Sequence, residues 1–264
     1  MSLRRRRDFR AVDLHRLMEH NRLEDLRGRH RIVRELVQPA PEDHALEIGC
    51  AQGYMVNLYL RQRVRRVVGL DIDPHDLARA RAYAERHTDR GVVPEFLIGS
   101  AEALPLPDSS FSLVYCMDVL EHVDTPPRAA TEATRVLTPG GRLVVTVPGD
   151  WFFNFLDPHY PEHRHYRTSQ IIELFPGLEV CAVHKTGLLW SVFWGTYLRF
   201  VLSRATRLIP SEQSRATALR RVNASMARIA DLDCRRNYGF GAALAVVFRK
   251  PAAAVAPQAM RQIG

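Results

Sequence analysis

Ala45-Leu46-Glu47-Ile48-Gly49-Cys50-Ala51-Gln52-Gly53-Tyr54 reads as a short buried strand running into a glycine turn that opens a helix. About twenty positions later, Val67-Val68-Gly69-Leu70-Asp71 reads as a second strand that ends on a carboxylate. In an α/β fold this order makes the entry of a nucleotide-type ligand: the glycines let the backbone come close, and the carboxylate accepts from a ribose hydroxyl. Spacing narrows the ligand. A dinucleotide fingerprint needs glycines at the first, third and sixth positions of the turn, which here hold Gly49, Ala51 and Tyr54. A P-loop needs a Gly-Lys-Ser/Thr ending, and this turn ends Gly53-Tyr54-Met55, with no lysine to offer a phosphate. Alone, a Gly-x-x-x-Gly turn serves equally well as a plain strand–helix junction.

The turn is not alone. Its Glu-x-Gly-x-x-x-Gly pattern resembles motif I of class I S-adenosylmethionine-dependent methyltransferases, and further segments continue the resemblance in order. Gly69-Leu70-Asp71-Ile72-Asp73 is similar to the family's second-strand motif. Ile98-Gly99-Ser100-Ala101-Glu102-Ala103-Leu104-Pro105 is similar to its "GDAExLPF" segment. Ser110 to Val123 resembles the fourth strand and the turn after it, and Leu137-Thr138-Pro139-Gly140-Gly141 resembles the turn into the fifth strand. The resemblance is close over residues 44–149 and weaker to about 250. It implies S-adenosyl-L-methionine as cofactor, held by Glu47, Gly49, Cys50, Ala51, Gly53, Tyr54, Asp71, Ile72, Ser100, Ala101, Glu102, Met117 and His122. In that scheme Asp71 takes the ribose hydroxyls, Ile72 lies beside the adenine and Glu47 approaches the methionine end. Burying the Glu47 carboxylate is costly unless a cation or hydrogen bonds compensate it, and bracing the glycine loop is its alternative role. Ser100 departs from the family, which usually has an aspartate there to accept from the adenine amino group; Glu102 is the substitute acid.

The chain has 264 residues, 46% of them hydrophobic, enough for one α/β domain with appended segments. Its 37 lysines and arginines against 29 acids give a net charge of +8, which favours anionic partners. Much of that charge is local, in runs at Arg4 to Arg7 and at Arg61, Arg63, Arg65 and Arg66, and such runs are equally a solvated face. Cys50, Cys116, Cys181 and Cys234 form no Cys-x-x-Cys pair, and a reducing, cytoplasmic setting is the simplest expectation. No apolar core follows the basic N-terminus, so no secretory peptide is expected.

Strands are expected near 45–48, 66–71, 93–98, 112–116 and 142–147, with helices at about 53–62, 75–87 and 127–137 between them. That alternation predicts a doubly wound, mainly parallel sheet with ligands at the carboxyl ends of its strands. The resemblance adds Leu178–His184 and Gly241–Phe248 as the last two strands of a seven-stranded Rossmann-like sheet, the final one antiparallel. Helical spacing over residues 11–38 predicts two N-terminal helices, an extension over 1–40 ahead of a methyltransferase domain over 41–250. Residues 251–264 read as a disordered Ala/Pro/Gln tail.

Two regions are expected to carry acceptor specificity. Asp157-Pro158-His159-Tyr160-Pro161-Glu162-His163-Arg164-His165-Tyr166 is rich in histidines and acids, but it meets no metal-site template, so no metal is expected. It is similar to a His-x-Arg-x-Tyr/Phe-Thr/Ser stretch that many of these methyltransferases carry near the acceptor, and Thr168 is the expected N-cap of the helix that follows. The second region is an insertion over 187–230, whose helix from Leu188 to Arg207 has an apolar face and a Ser191/Gly195/Arg199/Ser203/Arg207 stripe. Its apolar run is too short to span a membrane, leaving core packing, a lid over an apolar acceptor or peripheral membrane contact as its roles. Methyl transfer to a hydroxyl or amine benefits from a general base, for which His122, His159, His163 and His165 are the candidates. Cys116-Met117-Asp118-Val119 stands where nitrogen-directed nucleic-acid methyltransferases carry Asn/Asp-Pro-Pro-Tyr/Phe, which argues for a small-molecule acceptor and against nucleic acid; the acceptor expected overall is an O-nucleophile on an aromatic or lipid-like compound. An RNA or protein methyltransferase using the basic face, and a non-catalytic binding scaffold, are the alternatives.

Overall fold

The computed structural model describes residues 30, 32–149, 164–186, 211, 214, 235–241 and 243–252. Among them, seven strands form one sheet in the order β3-β2-β1-β4-β5-β7-β6. The strands are β1 (His44–Ile48), β2 (Arg66–Asp71), β3 (Glu95–Ile98), β4 (Phe111–Met117), β5 (Leu137–Pro148), β6 (Glu179–Thr186) and β7 (Ala243–Arg249). β1 to β5 pair in parallel, while β7 lies antiparallel between β5 and β6. The expected seven-stranded, mainly parallel sheet with an antiparallel last strand is the observed one.

The central strands are apolar on both faces because both faces are covered. Leu46, Ile48, Val68, Leu70, Val114, Cys116, Val145 and Val147 point to one side. There they pack with Ala129, Ala130 and Ala133 of α3 (Pro126–Val136) and Ile171 of α4 (Thr168–Leu174). Ala45, Val67, Leu113, Tyr115 and Val144, one residue out of step, point to the other side. Their partners are Met55 and Val56 of α1 (Tyr54–Leu58) and Leu77 and Ala80 of α2 (Pro74–Arg86). Truncating Leu46 or Leu70, both fully buried, to alanine should cost about 2–5 kcal/mol.

Helix starts follow local chemistry. Pro74 fills the first turn of α2, where its missing N–H costs nothing, and the Asp73 side chain accepts from His75 N at 2.8 Å. Three boundaries differ from expectation. The helix expected over 53–62 closes at Leu58 and continues, past an irregular Tyr59, as a 3₁₀ turn over Leu60–Gln62. β5 begins at Leu137, since Leu137 pairs with Phe111 and the Gly140-Gly141 backbone pairs with Lys250. Thr168 is the first residue of α4 rather than its cap. Arg167 is the N-cap, and its N–H donates to the Gln170 side chain at 2.8 Å.

The strand order reverses between β1 and β4, which opens a crevice at their carboxyl ends. Among the described residues no helix is long and apolar enough to cross a membrane. Of the expected elements, the 11–29 part of the N-terminal helices, the helix from Leu188 to Arg207 with most of the 187–230 insertion, and the tail beyond 252 lie outside the described residues.

Candidate functional site

The loop after β1 is held open by its backbone. Gly49 and Gly53 both have φ of 70°, and Ala51 has φ of 45°, so left-handed residues alternate through the turn. Gly49 N and Cys50 N both donate to Leu70 O, at 2.7 and 3.0 Å, anchoring the turn to the end of β2. The glycines are needed for space as well as for φ. A Cβ on Gly49 would stand 2.4 Å from Val119 Cγ2, and one on Gly53 would stand 2.9 Å from Phe96 Cε1. The room is taken by side chains of β3 and of the loop after β4, so the glycines shape the turn by packing on the protein itself.

Asp71, at the end of β2, holds this loop while keeping capacity for a ligand. Its Oδ2 accepts from Ala51 N at 2.8 Å and its Oδ1 from Asp73 N at 2.9 Å. A carboxylate oxygen has two lone pairs, so each still has one to offer to a hydroxyl. Ile72 (56% exposed) follows it, and Ile98 (57% exposed) ends the neighbouring strand β3, which leaves large apolar groups uncovered at the same edge. A second acid, Asp76 in the first turn of α2, accepts from Gln52 Nε2 at 3.3 Å and ties the loop to that helix. Burial raises its carboxyl above the usual range.

Glu47 lies beneath the turn, only 5% exposed, and its Oε2 accepts from Val56 N in α1 at 3.2 Å. Burial, and secondarily the Asp71 charge, raise its carboxyl from the ordinary 4.5 to about 8, although the Val56 bond opposes the rise. Such a group is primed to ionise when a cation arrives. The neighbouring Cys50 thiol is pushed well up, first by burial and then by Glu47 and Asp71, so it remains a packed thiol.

Other predicted residues sit around this centre. Ser100 Oγ accepts from Glu102 N at 3.2 Å, and Glu102 Oε1 accepts from Thr125 N at 2.5 Å, where α3 begins. The Glu102 carboxylate thus satisfies an orphan donor of the helix start. Ala101 packs on the core, and Tyr54 meets the His30 ring edge-on at 4.9 Å. Met117 ends β4, and His122 is exposed on the loop that follows, its N–H donating to Val119 O at 2.9 Å. His165 lies near the same loop. Arg164 donates from Nη1 to Val123 O and from Nη2 to Asp124 O at 3.2 Å, and the Tyr166 hydroxyl donates to Leu120 O at 2.9 Å. These bonds fasten segment 164–166 to the loop that carries His122. His159 and His163 lie outside the described residues.

Two features escaped the sequence reading. Asp118 is left-handed, with φ of 53°, and is held there by Asp118 N to Thr146 O at 2.9 Å and Thr146 Oγ1 to Asp118 Oδ1 at 3.2 Å. Aspartate tolerates that conformation, a signal that is weak without the structure. The Gln52–Asp76 tie has no sequence signature. The acceptors and shapes present fit an adenosine bearing an amino-acid tail: a carboxylate with free lone pairs for vicinal hydroxyls, uncovered isoleucines for a flat base, and a buried acid for an ammonium.

Residues 46–145 match the family model described as a methyltransferase domain. A probable S-adenosylmethionine-dependent methyltransferase of Mycolicibacterium smegmatis is 36% identical over 121 residues, covering 46% of this chain and 44% of that protein. An O-methyltransferase of Aspergillus nomiae is 30% identical over 160 residues, covering 60% of this chain and 69% of that protein. The chain spans only 44%, 36% and 54% of the length of three other curated relatives, the mycobacterial one included. In fold, it matches a Thermotoga maritima S-adenosylmethionine-dependent methyltransferase, described as a possible histamine N-methyltransferase, with a TM-score of 0.57 and 22% identity over 92% of this chain and 98% of that one.

Proposed function

The chain belongs to the class I S-adenosylmethionine-dependent methyltransferases, and from that premise we propose that it transfers the methyl group to a small-molecule acceptor, an O-nucleophile on an aromatic or lipid-like compound. One observation carries the cofactor half: the Asp71 carboxylate, fixed by Ala51 N and Asp73 N, keeps a lone pair on each oxygen at the mouth of the strand crevice. The acceptor half is supported by Cys116-Met117-Asp118-Val119 after β4, by the absence from that turn of the nucleic-acid-directed Asn/Asp-Pro-Pro segment, and by the O-methyltransferase name of the Aspergillus relative.

When bound, S-adenosylmethionine supplies an electrophilic sulfonium methyl. The chain contributes placement. Asp71 would accept from the ribose hydroxyls, Glu47 would face the ammonium as a carboxylate, and Ile72 with Ile98 would give the adenine an apolar wall. Displacement at a methyl needs the two reacting atoms held in line and water kept away, and positioning of that kind supplies much of the rate. An acceptor hydroxyl needs a base within hydrogen-bond reach. Of the candidates, His122 and His165 share one loop junction through the Arg164 and Tyr166 bonds.

The test is transfer of a labelled methyl from S-adenosylmethionine to a panel of phenols, fatty hydroxyls and amines, with His122→Ala and His165→Ala alongside wild type. Turnover of an oxygen acceptor, lost in one histidine variant while cofactor binding persists, is the expected result. Transfer confined to amines, or to RNA, contradicts the proposed acceptor. Full turnover in both variants removes these two histidines as bases.

A further inference from the structure

The opposite end of the sheet carries a cleft that the methyltransferase site does not use. Its volume is about 620 Å³, within the range of small-molecule sites. It is lined by Arg34, Pro39, Pro41, Tyr59, Gln62 and Arg63, among others. Pro39 and Pro41 lead into β1, and Gln62 and Arg63 lead into β2, so the cleft faces the amino ends of those strands. Glu47 and Asp71 stand at the carboxyl ends, roughly 15 Å away at about 3.3 Å per residue.

Among the described residues, the charge in this cleft has no carboxylate counterpart. The Arg34 and Arg63 guanidiniums lie over the Tyr59 ring, 5.1 and 4.2 Å from its centroid. Arg34 Nε donates to His30 O at 3.2 Å, and Arg63 Nη1 donates to Tyr59 O at 3.0 Å. Neither has a carboxylate partner among the described residues. Arg66, Arg135 and Arg142 differ, pairing with Glu95, with Glu132 and Asp108, and with Asp43. No acid is among the described lining residues, and two like charges share one ring. Burial raises the Tyr59 phenol against the pull of both arginines, so it remains a protonated donor.

We propose that this cleft binds the phosphate group of a small phosphorylated molecule. A guanidinium has five N–H donors, and each of these has committed one to a carbonyl, so among the described residues four remain on each arginine. Those donors and the Tyr59 hydroxyl outnumber the lone-pair sites of a single carboxylate and suit the three terminal oxygens of a phosphate ester. The proline walls give the rest of the ligand an apolar surface. A ligand there meets the start of the two strands whose far ends hold the glycine turn and Asp71.

Titration calorimetry and ³¹P NMR on the full chain, with inorganic phosphate, glycerol 3-phosphate and phosphatidate-containing vesicles as probes, test the site. Saturable binding is expected, weakened about tenfold or more by Arg34→Gln and again by Arg63→Gln, the loss expected for one charge-assisted contact each. Arg→Lys at each position should restore part of the affinity, and Tyr59→Phe should weaken binding while keeping the ring. Binding of the free esters alone identifies a soluble metabolite; binding of the vesicles alone identifies a lipid headgroup. A thermal shift of the wild type by glycerol 3-phosphate should vanish in the double variant. The proposal fails if none of the probes binds saturably, or if the double variant binds as tightly as wild type.

Discussion

Replacing Glu47 with glutamine keeps the shape of a buried side chain and removes its titration. In the wild type the carboxyl titrates near 8 when folded and near 4.5 when exposed, raised chiefly by burial. Because the folded value is the higher one, its favourable contribution is fully present below about pH 4.5 and is lost as pH rises through 8. At 1.36 kcal/mol per pKa unit, the shift corresponds to roughly 5 kcal/mol over the whole window, and to roughly 4 kcal/mol between pH 5 and 8. Urea unfolding of wild type and Glu47→Gln at pH 5, 6, 7 and 8 measures it. The stability difference, wild type minus variant, should fall steadily across that range. The same chemistry links to ligand binding: an ammonium beside Glu47 drives it to ionise, so binding of S-adenosylhomocysteine at pH 7 should release about one proton in the wild type and fewer in the variant. Calorimetry in buffers of differing ionisation enthalpy counts the protons. Parallel unfolding curves, or equal proton release by both proteins, would refute the reasoning.

Gly49→Ala places a Cβ 2.4 Å from Val119 Cγ2 at φ of 70°, and should cost about 2–4 kcal/mol in chemical unfolding from left-handed strain plus overpacking. Adding Val119→Ala should recover the packing share only. Tyr166→Phe removes the hydroxyl that donates to Leu120 O and leaves a buried carbonyl behind, a loss of about 1–2 kcal/mol in thermal or urea unfolding.

The sheet was legible because its cause is local. Strands covered on both faces must be apolar at nearly every position, and Val67 to Leu70 or Leu113 to Cys116 carry that demand in four letters each. The turn after β1 was legible for the same reason, since three left-handed positions in five residues restrict what can stand there. Side-chain partners were not. Val119 fills the space above Gly49 from seventy positions away, and Glu102 meets Thr125 N because two loops happen to converge; neither pairing leaves a trace at its own site. The basic cleft was half visible. The run Arg61, Arg63, Arg65 and Arg66 stood out, but the fold separates its members: Arg66 pairs with Glu95 and Arg61 is buried, its Nε donating to Val92 O. Only Arg63 meets Arg34 over Tyr59. Helix ends misled by a residue or more, because Tyr59 breaks α1 through its backbone angles and Gln170 caps α4 from inside the helix.

The account rests most heavily on Asp71 as the residue that positions the methyl donor. Titrating S-adenosylhomocysteine into wild type and Asp71→Asn by calorimetry tests this directly, because the amide keeps the side-chain shape while losing acceptor capacity and charge. One saturable site in the wild type is predicted, weakened about tenfold or more in the variant. A wild type that does not bind, or a variant that binds with unchanged affinity, would contradict the account.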